Sequence, residues 1–192
     1  MYGMEAKTRL VESARELMWD RGYAATSPRA VLDAAGVGQG SMYHHFRGKE
    51  DLARAVVEGN AETMRAQVDR DLAGPGSAVE RLARYLRRER DVMRGCRFGK
   101  LAQDPDVVAS PVLGPRVADM FGWLVERLEV VVREGQAAGE LRDSLDAHRV
   151  ASAVAATLQG GYVLARAAGD PAAFDSAVEG LLGLLDTART TS

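Results

Sequence analysis

Apolar residues recur at steps of three and four through almost the whole chain, and no stretch alternates with period two. A helix turns once in about 3.6 residues and a strand repeats every second one, so this spacing predicts an all-α chain. The first helix is expected over 5–21, with Leu10, Ala14, Leu17 and Met18 on one face and Gly22 just past its end. A short helix follows over 28–35, opened by Ser27-Pro28 and closed by Gly36. Ser27 can cap the open N–H groups, and Pro28 suits the first helical position, where no N–H is needed. A shorter helix spans 39–45 and a long one 49–72. After the break Ala73-Gly74-Pro75-Gly76, Ser77 and Glu80 form a capping box for a helix over 78–94. The stretch 95–114 is the least regular, with a short helix over 97–103 and then a loop holding Pro105, Pro111 and Pro115. Helices over 116–138, 147–168 and 171–188 complete a count of about nine, followed by the polar tail Thr190-Thr191-Ser192.

Composition narrows the function classes. The chain has 192 residues, 46% apolar and 27% charged, an ordinary globular balance with room for a buried core. Cys96 is alone, which excludes a disulfide scaffold. No apolar run reaches the ~20 residues of a membrane span. The first ten residues carry charge where a signal peptide would be apolar, so the expected compartment is the cytoplasm. The formal net charge is −2, yet Arg21–Lys49 holds Arg21, Arg29, Arg47 and Lys49 against Asp33 alone. A positive patch on an acidic body suits a module that meets a polyanion with one face.

The patch coincides with two short helices joined by Ala34-Ala35-Gly36-Val37. Gly36 permits the left-handed backbone of a sharp turn, and the alanines let the helices cross closely. Val37, Met42 and Phe46 are the apolar anchors, leaving Gln39, Ser41, Tyr43 and His44 outward. A short, rigidly held helix with polar residues outward is what enters a major groove. The segments Ala24-Ala25-Thr26-Ser27, Ala34-Ala35-Gly36-Val37, Gly40-Ser41-Met42-Tyr43-His44-His45-Phe46 and Lys49-Glu50-Asp51-Leu52 together resemble the TetR family of bacterial transcriptional regulators. The resemblance covers about residues 6–55 in detail, and the rest of the chain agrees in helix number and length.

That resemblance implies an N-terminal three-helix helix-turn-helix unit for DNA binding at 1–50. It implies a larger helical bundle for effector binding and dimerisation at 51–192. Thr26 and Ser27 would hold a phosphate at the start of their helix, and Arg29 would reach a phosphate or a guanine edge. Gln39 and Ser41 are the candidates for base edges, glutamine pairing naturally with adenine. Gly40 would let the backbone approach DNA closely, and Tyr43 would meet a thymine methyl or a phosphate. His44, His45 and Lys49 would donate to phosphates. Adjacent histidines diverge by ~100° around a helix, a poor metal pair, so no metal is expected. The chain departs from the family at Gly38, where Ser or Thr is usual; glycine keeps the cap geometry at a cost of a few tenths of a kcal/mol.

One reading helix covers half a site, and two copies on a two-fold axis would read a pseudo-palindromic operator of double-stranded DNA. The dimer surface is expected within 147–188, where Ala151, Ala155, Leu158 and Tyr162 precede an apolar Phe174, Val178, Leu181, Leu182 and Leu185, with Gly160-Gly161 allowing close approach. Candidates for a small-molecule pocket are Met93, Cys96, Phe98, Met120, Phe121, Trp123 and Tyr162, whose adaptable or aromatic side chains give broad apolar contact. Arg97 and Lys100 read as solvated surface, with an anionic effector as the alternative. The rival readings are a helical interaction protein without DNA binding and an enzyme with a vestigial reading head. The enzyme lacks a nucleophile–base pair, a phosphate-cradling loop or a metal cluster in sequence, and a buried His148 beside a carboxylate would revive it. The expected function is a homodimeric DNA-binding regulator, a repressor released by an effector, without cofactor or catalysis.

Overall fold

The structure, a computed structural model, describes residues 2–190, with side chains from Glu5 onward. Residues 191 and 192 of the expected polar tail lie outside the described residues. The described residues form ten helices: α1 (Tyr2–Arg21), α2 (Pro28–Ala35), α3 (Gln39–His45), α4 (Lys49–Ala73), α5 (Ala78–Arg87), α6 (Arg97–Ala102), α7 (Pro105–Ala109), α8 (Leu113–Ala137), α9 (Ala147–Ala168) and α10 (Ala172–Thr187). A lone β-bridge among them links Leu141 to Arg189. The chain divides into two compact units. Residues up to Thr63 together with Arg97–Met120 make the first, and Met64–Cys96 together with residues from Phe121 onward make the second. This division by packing is a different partition from the functional one expected at residue 50.

The first unit is organised around the apolar stripe of α1. Leu10, Ala14 and Met18 are buried with Val31 and Ala35 of α2, Met42 of α3, Phe46, and Leu52, Ala53, Val56 and Val57 of α4. Ser27 caps α2, its hydroxyl accepting from the Ala30 N–H at 3.2 Å. Gly36 ends α2 at φ 61°, ψ 39°, a left-handed conformation that turns the chain into α3 at little steric cost. The end of α1 is fastened by α6 and α7. The Lys100 ammonium donates to the Trp19 and Asp20 carbonyls at 2.5 and 3.1 Å. Arg97 lies 3.7 Å over the Trp19 ring and pairs with Glu16 at 2.8 Å. Cations at a helix C-terminus meet its unpaired carbonyls and negative dipole end. Both residues are therefore structural ties, which corrects their reading as solvated surface.

Asp104 joins two backbones. One carboxylate oxygen accepts from the Ala24 N–H at 2.8 Å, and the other caps α7 through the N–H groups of Asp106 and Val107. The sequence pattern predicts loop where α7 stands. The helix forms because Asp104 supplies its N-cap and Pro105 its first residue.

In the second unit α5 packs Val79, Leu82, Tyr85 and Leu86 into a core with Leu124, Leu128, Val131 and Val132 of α8, Val154 and Leu158 of α9, and Phe174, Val178, Leu182 and Leu185 of α10. A Cβ at Gly161 would meet the Phe174 ring at 2.9 Å, so this glycine serves the close crossing of α9 and α10 inside the unit. The capping box at Ser77 and Glu80 is present. Helix α5 stops at Arg87 rather than at the expected residue 94. Arg88 turns to ψ 137°, and the Arg90 guanidinium folds back to donate to the carbonyls of Tyr85, Leu86 and Arg88 at 2.5, 2.9 and 2.6 Å. A side chain thus satisfies carbonyls that a further helical turn would have used.

Asp104→Ala leaves the Ala24 N–H and the α7 cap without their acceptor. It should lower the unfolding free energy by about 1–3 kcal/mol. Denaturant titration reads this directly, and an unchanged midpoint would show that the tie contributes nothing.

Candidate nucleic-acid interface

All ten residues expected to face DNA lie in the first unit. Helix α3 is seven residues long, and its burial pattern divides it lengthwise. Met42 is 1% exposed and Phe46, just past the helix, 4%, while Tyr43 is 57% exposed. Gln39, Gly40 and His44 are exposed with Tyr43, and Ser41 and His45 are half-buried. The two imidazoles meet edge to face at 4.8 Å, and His45 leans on Phe46 at 6.5 Å. The exposed face therefore offers an amide, a phenol and an imidazole, groups that donate and accept hydrogen bonds without carrying carboxylate charge. Gly38 opens α3 at φ −73°, ψ 157° without a side-chain cap, and the helix forms all the same.

Around α3 the residues fare differently. Ser27 is exposed, and the Arg29 side chain is 92% exposed, 4.0 Å from Asp33. Arg47, absent from the expected contact set, is exposed directly after α3. Lys49 donates to the Ala24 carbonyl at 3.2 Å and lies 4.1 Å over the Tyr23 ring, so it ties α4 to the turn before α2. An ammonium has three donors, which leaves Lys49 donors to spare. Tyr23 is held above the usual phenol range by burial, with Glu50, Asp106 and Asp104 adding to it. Thr26 needs a correction. It is fully buried and its hydroxyl donates to the Gly22 carbonyl at 2.7 Å, so its side chain closes the turn after α1 and cannot meet a phosphate. A Cβ at Gly40 would meet no atom within 4 Å, so nothing inside the fold requires glycine there.

The seven pocket candidates do not share a unit. Phe98 and Met120, each 1% exposed, are core residues of the first. Met93, Cys96, Phe121, Trp123 and Tyr162 belong to the second. Met93 is 41% exposed; Cys96, Phe121, Trp123 and Tyr162 are half-buried. Tyr162 packs on Phe174 at 4.8 Å, and Arg65 lies 5.6 Å over Trp123. A small recess in the first unit, with room for about one water molecule, is lined instead by Arg15, Met18, Trp19, Val56, Asn60, Arg97 and Leu101. His148 pairs with Glu129 at 2.9 Å, but its side chain is 63% exposed, so it is not the buried base an enzyme would need. Among the described residues no three His, Cys, Asp or Glu side chains gather as a metal site, and no helix is long and apolar enough to cross a membrane.

Two family models match the chain. The first, bacterial regulatory proteins of the tetR family, covers residues 10–56, and the second, a tetracyclin repressor-like C-terminal domain, covers residues 76–181. The transcriptional regulator AcuR of Cereibacter sphaeroides is 28% identical over 151 residues, 75% of this chain and 68% of its own. The HTH-type transcriptional repressor DhaR of a Mycobacterium species is 25% identical over 79% of this chain and 77% of its own. A crystal structure of a TetR transcriptional regulator from Chloroflexus aurantiacus superposes with a TM-score of 0.88 at 29% identity, covering 100% of this chain and 99% of the other.

The lengthwise division of α3 sets opposite expectations for neighbouring residues. Met42→Ala should cost about 2–5 kcal/mol of stability by opening a cavity under the helix. Tyr43→Ala should stay within about 0.5 kcal/mol of the parent. Equal losses in a denaturant titration would mean that α3 packs by a different face.

Proposed function

Because the chain belongs to the TetR family of bacterial transcriptional regulators, we propose that it is a homodimeric repressor that grips a pseudo-palindromic operator and lets go when a small molecule binds its C-terminal part. Regulators of this family bind operators and effectors and act as dimers. The observation that carries the reading is α3, anchored by Met42 and Phe46 while Gln39, Tyr43 and His44 stand in solvent. Such a helix can enter a groove about 12 Å wide without rearranging its core. Gln39 and Ser41 are assigned to base edges, and Tyr43 to a thymine methyl or a phosphate. Ser27, Arg29, His44, His45, Lys49 and Arg47 are assigned to the phosphate backbone. Gly40 is where the DNA backbone comes close. Residues 1–50 form the DNA-binding part and 51–192 the effector and dimer part.

Dimerisation is assigned to 147–188, within α9 and α10. Val163 and Leu164 on α9 are each 55% exposed and Leu184 on α10 is 68% exposed, although both helices bury another face in their own core. A Cβ at Gly160 would meet no atom within 4 Å, which leaves α9 open there to a second copy. Relief of repression follows when an effector favours a separation of the two reading heads that the operator does not fit. A coupling of about 1–3 kcal/mol would change affinity about 5–150-fold. The cytoplasm, where the operator is, is the assigned compartment.

Binding selection from random duplexes should return an inverted repeat. On that duplex Tyr43→Ala should weaken binding strongly in an anisotropy titration. Gln39→Ala should relax preference at one base pair per half-site, and Lys49→Ala should weaken all duplexes alike and reduce the salt slope by about 1. Gly40→Ala should leave the melting temperature unchanged or raised and still weaken binding. Selection without an inverted repeat, or variants that bind like the parent, would remove the proposal.

A further inference from the structure

In the second unit Arg90 makes no ion pair among the described residues, and the Asp71 carboxylate acts on it only through space. Arg88 and Arg90 lie over the Tyr85 ring, with guanidinium carbons 5.7 and 5.3 Å from its centre. The nearby Asp71 is taken by Arg88, at 2.8 Å. Arg90 donates to backbone carbonyls, those of Tyr85, Leu86 and Arg88. A guanidinium carries five N–H groups in a fixed fork, so two remain for another acceptor. Arg90 is half-buried, where a charge without an ion-pair partner is costly, and part of its side chain remains exposed. Tyr162 of α9 lies within electrostatic range of it. Burial pushes the Tyr162 phenol up to about 12, and the charge of Arg90 opposes that rise. Burial likewise lowers the Arg90 guanidinium from its usual value; Arg88 adds to this, and Tyr162, Tyr85 and Asp71 oppose it. A phenol held in its protonated form is a hydrogen-bond donor at every physiological pH.

We propose that Arg90, with the hydroxyl of Tyr162, is the anchor for an acidic group, and that the effector is a small amphipathic carboxylate. The acid would take the two free N–H groups of Arg90 and the phenol proton, in the charge-assisted geometry that guanidinium and carboxylate share. Its apolar part would lie along Tyr162, which already packs on Phe174. The charge already present at Arg90 discriminates: a neutral isostere would leave it as it is, whereas an acid neutralises it. The negative end of α5 holds the guanidinium in place before the ligand arrives, so little ordering remains to be done on binding.

This assignment rests on the effector reading above, and the test separates the two. Straight-chain monocarboxylates from propanoate to decanoate, benzoate and phenylacetate are titrated into the full-length protein, each beside its primary amide. Binding is read by calorimetry and operator release by anisotropy. At least one acid should bind while its amide does not. Arg90→Gln should weaken that acid about tenfold or more, and Tyr162→Phe, which leaves the α5 cap intact, should weaken it severalfold. No binding by any acid, or equal binding by acid and amide, overturns the proposal, as does an unchanged affinity in Tyr162→Phe. An acid that binds through Arg90 without releasing the operator upholds the site and refutes its role as the effector site. Release by amides that both variants still obey upholds the effector reading and refutes the acid anchor.

Discussion

A helix of seven residues cannot hold itself together in water, where even ~12–15 residues are marginal. Everything α3 does therefore depends on the burial of Met42 and Phe46 against the neighbouring helices. That packing fixes which residues point outward, because neighbours on a helix diverge by ~100°. The left-handed turn at Gly36 fixes where the helix starts. Rigidity comes from the core, and the exposed face is free to be chosen for what it touches.

The same logic extends to the end of α1. A loose turn at residues 22–27 would move α2, and α3 with it. Lys100, Arg97 and Asp104 hold that turn by three distinct contacts: an ammonium on terminal carbonyls, a guanidinium on an indole and a carboxylate on a backbone N–H. Thr26 closes it from within through the Gly22 carbonyl. The charges around α3 are thus of two kinds. Arg29 and Arg47 stand in solvent, whereas Lys49 is already part of the scaffold and reaches outward with what it has left.

What is legible in the sequence is whatever is decided within a few residues. Helices α2, α3 and α9 begin and end where Ser27, Pro28, Gly36, Gly38 and Asp146 place them, and the capping box at Ser77 stands. Helix α7 is read as loop although Asp104-Pro105 is a start signal, because the nearby prolines mask it. The rest is decided by distant partners. Lys100 and Arg97 find carbonyls and a ring some 80 positions away, so no local pattern marks them as ties. Arg90 ends α5 by folding back, which a periodic apolar run cannot announce. Thr26 looks like a cap in sequence because it sits beside one, and only its burial shows otherwise. The pocket candidates rest on side-chain type, and type does not say that Phe98 and Met120 are core.

In the proposed function, α3 of each protomer meets the floor of the major groove, so the duplex is touched in two places at once. Dimethyl sulfate footprinting on the selected duplex distinguishes the grooves, since guanine N7 lies in the major groove and adenine N3 in the minor. Protected guanine N7 positions are expected in two patches related by the inverted repeat, their centres about one helical turn or a multiple of it apart. Protection confined to adenine N3, or a single patch without a symmetric mate, would contradict it.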